Sequence, residues 1–261
     1  MCIRIYLCLV LCLAIGSDRV QTISSALSHP SQVSKDPMPV DDPIGFLKAC
    51  IRKFDERNVT GYEMVMLKQE RIGGQLQPSE EIAVSYRTKP HSVVLKWLKG
   101  QRRANIALFV EGENNNMILI NPSGLAGRLV KVVERDPEGE DAKQSGRYSM
   151  REFGLKATMV RTLGGFERAK AKGTLKTQYL GILKVKELDD RLCYAFKRIC
   201  PKPEEDGFSE VTVYVDKETW LQVGTLLKAD DGKVIAEYLF RDIHLNPTFK
   251  PDQFTRAILT Q

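Results

Sequence analysis

Histidine and tryptophan are scarce in this chain, with three and two residues among 261. His29, His91 and His244 lie far apart, and no CxxC pair accompanies them, so the common zinc spacings are excluded. No metal or cofactor is expected. The sequence has no GxSxG, no HExxH, no Walker loop and no GxGxxG after a strand-like run, so it offers no nucleophile elbow, metalloprotease helix or phosphate cradle. Charge of one sign is also weak. The net charge is +6 with 28% charged residues, an excess too small and too scattered for a nucleic-acid partner. It suits an anionic ligand or an anionic membrane surface. After residue 16, no apolar run approaches the length of a membrane span.

What is present begins at the N-terminus. Met1 to Arg4 carries one positive charge, Ile5 to Ile15 is apolar, and Ala14-Ile15-Gly16 ends in small residues. This is the pattern of a secretory signal peptide over residues 1–16, cleaved before Ser17 or kept as an anchor. It places the rest of the chain across the inner membrane, in a periplasm or cell envelope. Residues 17–40 are rich in Ser, Pro, Gln and Val without an apolar period, and read as a flexible linker. Of the six cysteines, Cys2, Cys8 and Cys12 lie in the signal. Cys50, Cys193 and Cys200 remain, which permits one bridge plus one thiol or three thiols.

Residues 41–261 read as a single α+β domain. Asp41 or Asp42 can cap a helix that has Pro43 in its first turn and Ile44, Leu47, Ile51 and Phe54 on one face. Short alternating strands joined by polar turns follow, from Tyr62 to about Val133. A helical pattern then covers about Met150 to Lys172, with Leu155, Met159, Leu163 and Phe166 on one face and Gly164-Gly165 as a place to kink. Strands resume from Leu175 to Leu245, with Asp230-Asp231-Gly232-Lys233 as a hairpin turn and a short C-terminal cap. The order predicts one large curved antiparallel sheet with helices packed on its concave side as a lid.

The polar pairs are read modestly. Glu70 and Arg71 point to opposite faces of one strand, so one of them turns towards the core. Glu80-Glu81 reads as a solvated turn pair. The apolar side carries more information. Tyr62, Met64, Met66, Val84, Tyr86, Leu95, Trp97, Leu108 and Val110 are expected to line the concave face, with Met159, Leu163 and Phe166 of the lid above them. Met and aromatic side chains make an adaptable lining for a flexible apolar ligand. The competing reading is an ordinary core packed under the helices. An acyl chain gains about 0.8 kcal/mol per buried CH₂, so about fifteen carbons offer on the order of 10 kcal/mol before ordering costs. A carrier therefore needs a groove and no catalytic group.

Several short motifs carry a family resemblance. Tyr62 with Lys68-Gln69-Glu70-Arg71-Ile72-Gly73-Gly74, then Arg87-Thr88-Lys89-Pro90-His91-Ser92-Val93 with Lys96-Trp97, then Val110-Glu111-Gly112-Glu113-Asn114 occur in order. Arg147-Tyr148, Gly154-Leu155, Glu237-Tyr238, Leu245-Asn246 and Phe254 continue the pattern. Together they resemble exported bacterial proteins catalogued as domain of unknown function 1571, over about residues 43–255. His91 stands where that family usually has Phe. The family looks like a relative of lipoprotein carriers of the LolA and LppX kind. The resemblance implies an incomplete antiparallel β-barrel, helices at its mouth, and a lipid or acylated lipoprotein as partner. It carries over no catalytic residue, and the protein is not expected to be an enzyme. The alternative it leaves open is an envelope stress sensor or scaffold that binds a protein partner, since some regulators of anti-sigma factors resemble the same fold.

Overall fold

A computed structural model of the chain describes residues 36–101, 103–204 and 207–260. The signal peptide and most of the linker lie outside the described residues.

The first helix, α1 (Pro43–Glu56), forms where the sequence places it. Asp42 caps it by accepting the Gly45 amide at 2.9 Å, and Pro43 occupies the first turn, where a missing N–H costs nothing. Its buried face carries Phe46, Leu47, Cys50 and Phe54. Twelve strands follow in two runs. The first holds β1 (Gly61–Ile72), β2 (Gln75–Leu76), β3 (Glu80–Arg87), β4 (Ser92–Lys99), β5 (Ala104–Val110) and β6 (Ile118–Pro122). A six-residue helix α2 (Gly124–Leu129), the short strand β7 (Val133–Arg135) and a single helical turn α3 (Glu140–Lys143) come next. The long helix α4 (Leu155–Ala171) separates this half from β8 (Lys176–Val185), β9 (Arg191–Ile199), β10 (Glu210–Asp216), β11 (Gln222–Lys228) and β12 (Val234–Leu245).

All strands join one antiparallel sheet in the order β7-β6-β5-β4-β3-β1-β12-β11-β10-β9-β8, with β2 pairing β1 to the side. The sheet stays open, with β7 and β8 as its edges. The fold is thus α+β, a large antiparallel half-barrel. Its long-range step is the β1–β12 pairing, which joins the two runs with Tyr62 opposite Leu245 and Glu70 opposite Ala236.

Both long helices lie on the inner face. Phe46 packs edge-on against Tyr194 and Phe196, and its ring centroid is 5.0 Å from that of Trp220. Phe166 of α4 meets Phe196 at 5.9 Å. Lys48–Glu167 and Lys156–Asp55 ion pairs tie α1 to α4 at 2.9 and 2.6 Å. Gly164-Gly165 leaves α4 unbroken, and Gly165 lets Arg198 come close: a Cβ there would lie 3.3 Å from its Nη2. The outer face is covered over β4 to β6 by the C-terminal segment, where Phe254, Ile258 and Leu259 pack on Val94, Ile106, Leu108, Val110 and Leu119.

Two expectations need correction. The run of strands expected to about Val133 is interrupted before its end, where Leu129 to Val133, read as a further strand, is instead the end of α2, a bend and the start of β7. The helix expected from Met150 begins only at Leu155, because Gly154 sits at φ +148°, a conformation open to glycine and closed to other residues. Cys50, Cys193 and Cys200 are all buried free thiols. Burial pushes the Cys50 and Cys193 thiols up to about 12.

Candidate functional site

The site grows from the inner-face stripe of β1. Side chains alternate along a strand, so Tyr62, Met64, Met66, Lys68 and Glu70 share one face. The stripe begins apolar and ends charged. Met66 stands opposite Ile82 and Phe240, and Lys68 opposite Glu80 and Tyr238. The charged end is buried: Glu70 is 3% exposed and Glu80 5%. Lys68 Nζ bridges them at 3.2 and 3.4 Å. Trp97 Nε1 donates to Glu80 Oε1 at 3.1 Å, and the Tyr238 hydroxyl donates to Glu70 Oε1. Burial raises the Tyr238 hydroxyl, and the neighbouring Glu70 carboxylate raises it further, so the phenol keeps its proton. Glu80 is therefore not the solvated turn residue that the sequence implied.

Above this stripe runs a strap of mostly irregular chain, residues 136–154, from the end of β7 to the start of α4, with the single turn α3 within it. Its middle and its C-terminal end are pinned to the sheet. Lys68 Nζ donates to the Ser145 carbonyl at 3.3 Å, and the Arg147 amide donates to Glu70 Oε1 at 3.1 Å. Further on, the Met150 carbonyl lies 2.9 Å from His91 Nε2. A carbonyl only accepts, so Nε2 donates there, and Nδ1 lies 3.4 Å from Tyr86 Oη. Arg161 of α4 stacks over Tyr148 at 4.1 Å. At the strap's end, the Leu155 amide donates to the buried Tyr62 hydroxyl at 2.8 Å. Gly154 passes so near that a Cβ would lie 3.4 Å from the Tyr62 hydroxyl and the Tyr86 ring.

Two adjoining cavities lie between strap and sheet. The smaller, about 120 Å³, is lined by Met64, Met66, Leu95, Tyr238 and Phe240 of the sheet and Thr158 and Arg161 of α4. The larger, about 650 Å³, has an apolar floor of Leu95, Trp97, Ala107, Ile118, Ile120 and Val133, and charged groups at its margin, among them Arg103, Arg135 and Glu138. Lys68, Leu95, Gly146, Arg147, Tyr148, Met150 and Glu152 line both. The larger volume lies in the range of small-molecule pockets, roughly 300–1,000 Å³.

Among the residues expected from sequence, Met64, Met66 and Leu95 line the smaller cavity, and Leu95 and Trp97 the larger. Tyr62, Val84, Met159 and Phe166 are buried in the packed inner core and line neither. Tyr86 stacks on Tyr62 at 4.6 Å, and Leu163 is a half-buried neighbour of the same core. Leu108 and Val110 are misplaced in the sequence reading: they face outward, against the C-terminal segment. Both faces of β5 are apolar, so alternation alone cannot choose between them. The register chooses, because Leu95 pairs with Ala107 and Val93 with Phe109, which puts Ala107 and Phe109 inside. Sequence reasoning missed Lys68, Glu80, Tyr238, Ile118, Ile120 and Val133. For Lys68 the signal was present, two residues beyond Met66 on the same period.

Glu70, His91 and His244 do not converge. His244 is exposed and stands opposite Glu63 on β12, the face away from Tyr62. Among the described residues, no three His, Cys, Asp or Glu side chains cluster as metal ligands, and no helix is long and apolar enough to cross a membrane.

The fold and site define an open antiparallel half-barrel with helices and a strap enclosing a mostly apolar cavity. The chain belongs to the family of proteins of unknown function DUF1571, whose pattern matches residues 59–258. Among curated proteins, none matches it. Solved structures similar to it at low identity include these three. The Mycobacterium tuberculosis lipoprotein LppX is 14% identical, with 80% of this chain and 98% of that chain covered and a TM-score of 0.44. A LolA superfamily protein from Nitrosomonas europaea is 8% identical, with 81% and 98% covered and a TM-score of 0.35. MucB, in the Pseudomonas aeruginosa MucA/MucB complex, is 14% identical, with 82% of this chain covered and a TM-score of 0.44. The chain spans 62% of that MucB-complex chain.

Proposed function

We propose that this protein is an exported cell-envelope binding protein that holds an acyl chain of a lipid or lipoprotein in the larger cavity. The carrying observation is the cavity of about 650 Å³ itself, floored by Leu95, Trp97, Ala107, Ile118, Ile120 and Val133 and roofed by a strap rather than by a packed helix. A cleft of this volume with an apolar floor and a few polar groups is the form of a small-molecule site and suits a flexible apolar chain. The mixed charges at its margin would meet a polar head group while the floor takes the hydrocarbon. The N-terminal signal pattern supports delivery to the envelope. No catalysis is assigned. Delipidated protein incubated with an envelope lipid extract and re-isolated should carry stoichiometric lipid by mass spectrometry. A lipid-free spectrum after gentle re-isolation overturns the reading.

The second reading, a sensor or scaffold that binds a protein partner, has one observation in its favour. The edge strand β8 is ten residues long, and its Ile182 and Leu183 are 43% and 39% exposed. Such an edge can accept an added strand. Recovery of a bound peptide, with the cavity free of lipid, would favour this reading.

A further inference from the structure

The rim of the larger cavity carries an apolar crest. Leu125, Leu129 and Val130 are 76%, 87% and 46% exposed. Leu125 and Leu129 are four residues apart and share one side of α2, with Val130 directly after it. The crest is tied to the cavity by chain connection. Pro122 ends β6 just before it and Val133 begins β7 just after it, and both line the larger cavity. It is also folded tightly back on that rim: a Cβ at Gly127 would lie 2.1 Å from the Pro122 carbonyl oxygen. Cationic side chains flank it. The Arg103 carbonyl accepts the Ser123 amide at 3.0 Å, so its backbone adjoins the start of α2, while its guanidinium reaches Ser145 Oγ at 3.4 Å on the cavity rim. Exposed Lys131 follows the end of α2.

We infer that this crest docks the protein on a bilayer that contains anionic lipid, with the mouth of the cavity held against the membrane surface. The inference rests on the acyl-chain reading above and adds where the lipid is exchanged. The shape decides for a bilayer. Leu125 and Leu129 protrude, and a fluid interface accepts a protruding apolar crest without a matching groove. The adjacent edge strand β7 is three residues long, which gives an added strand little to pair with. The charge complements the same surface, since Arg103 and Lys131 would meet anionic head groups while the leucines enter the acyl boundary. An acyl chain could then pass from bilayer to cavity without crossing water.

The test uses the full-length chain with Leu129→Trp, read as a difference from the wild-type emission of Trp97 and Trp220. Vesicles of phosphatidylglycerol and phosphatidylethanolamine should shift the new emission to the blue, and vesicles of phosphatidylcholine alone should shift it much less. In co-sedimentation with the anionic vesicles, Leu125→Ser with Leu129→Ser should lower the partition constant by about 10-fold or more, from the lost burial of two leucines. Both side chains are exposed, so the melting temperature should be unchanged. An unshifted emission at position 129, or a double variant that binds as the wild type does, overturns the docking surface. Binding of a soluble acyl probe, measured without vesicles, reports on the cavity separately. Retained probe binding with no vesicle response sinks this inference alone, and lost probe binding in the wild type sinks the acyl-chain reading.

Discussion

Placing one charge on the cavity floor should separate binding from folding. Ile120 is half-buried, lines the larger cavity, and stands opposite Ala107 and Val133 in the sheet. In Ile120→Glu the empty cavity can hydrate the carboxylate, so the folded state loses little. An acyl chain laid on the floor removes that water. The effective penalty of desolvating a carboxylate is several kcal/mol, and about 3 kcal/mol already corresponds to a loss of about 100-fold in affinity. The assay is titration with an uncharged fluorescent acyl glyceride, with thermal melting in parallel. Ile120→Gln should lose far less than Ile120→Glu, because an amide is cheaper to desolvate than an ion. As pH falls below about 4, the added carboxyl takes up its proton and affinity should recover towards the Gln value. Equal affinity of wild type and Ile120→Glu, with both proteins folded, would refute the placement of the ligand.

Other outcomes follow from the packing and the buried polar groups. Phe46→Ala removes the fully buried ring that packs on Tyr194, Phe196 and Trp220, and should cost about 3–5 kcal/mol, a drop in melting temperature of roughly 10 °C. Tyr238→Phe withdraws a hydrogen bond from buried Glu70 and should cost about 1–3 kcal/mol by denaturant titration. Glu237 is held above the usual carboxylate range by burial first and by repulsion from Glu187 second. A raised folded-state value favours the native state below the unfolded value and loses that contribution as pH rises through the folded one. Glu237→Gln should therefore raise the melting temperature at pH 7, with the gain vanishing in acid, and a variant less stable at pH 7 would contradict that sign. Cys50, Cys193 and Cys200 should resist alkylation in the folded protein and react after unfolding, since burial disfavours their thiolates.

The elements were legible where one local rule was enough. The Asp42-Pro43 start of α1, the alternation of β1, β3 and β4, and the Asp-Asp-Gly turn before β12 each follow from a few neighbouring residues. Where two faces were equally apolar, local pattern failed. The inside of β5 is decided by its pairing with β4, a contact between strands that no residue of β5 encodes by itself. The strap does not show in the sequence, where only the helical pattern from about Met150 stands out, because its hold on the sheet comes from Lys68, Glu70 and His91, which lie far from it along the chain. Glu80 was misread for the same reason. Beside Glu81 it resembles a solvated pair, but opposite Lys68, and accepting from the Trp97 indole, it is a buried acceptor.

The claim that an acyl chain occupies the larger cavity is tested most directly by locating the chain. A crystal grown with a lipid brominated along its acyl tail should show anomalous bromine peaks above Trp97, Ile118 and Ile120, beneath Tyr148 and Met150 of the strap. Bromine peaks confined to the protein surface, with only water between strap and sheet in a lipid-saturated crystal, would contradict the account.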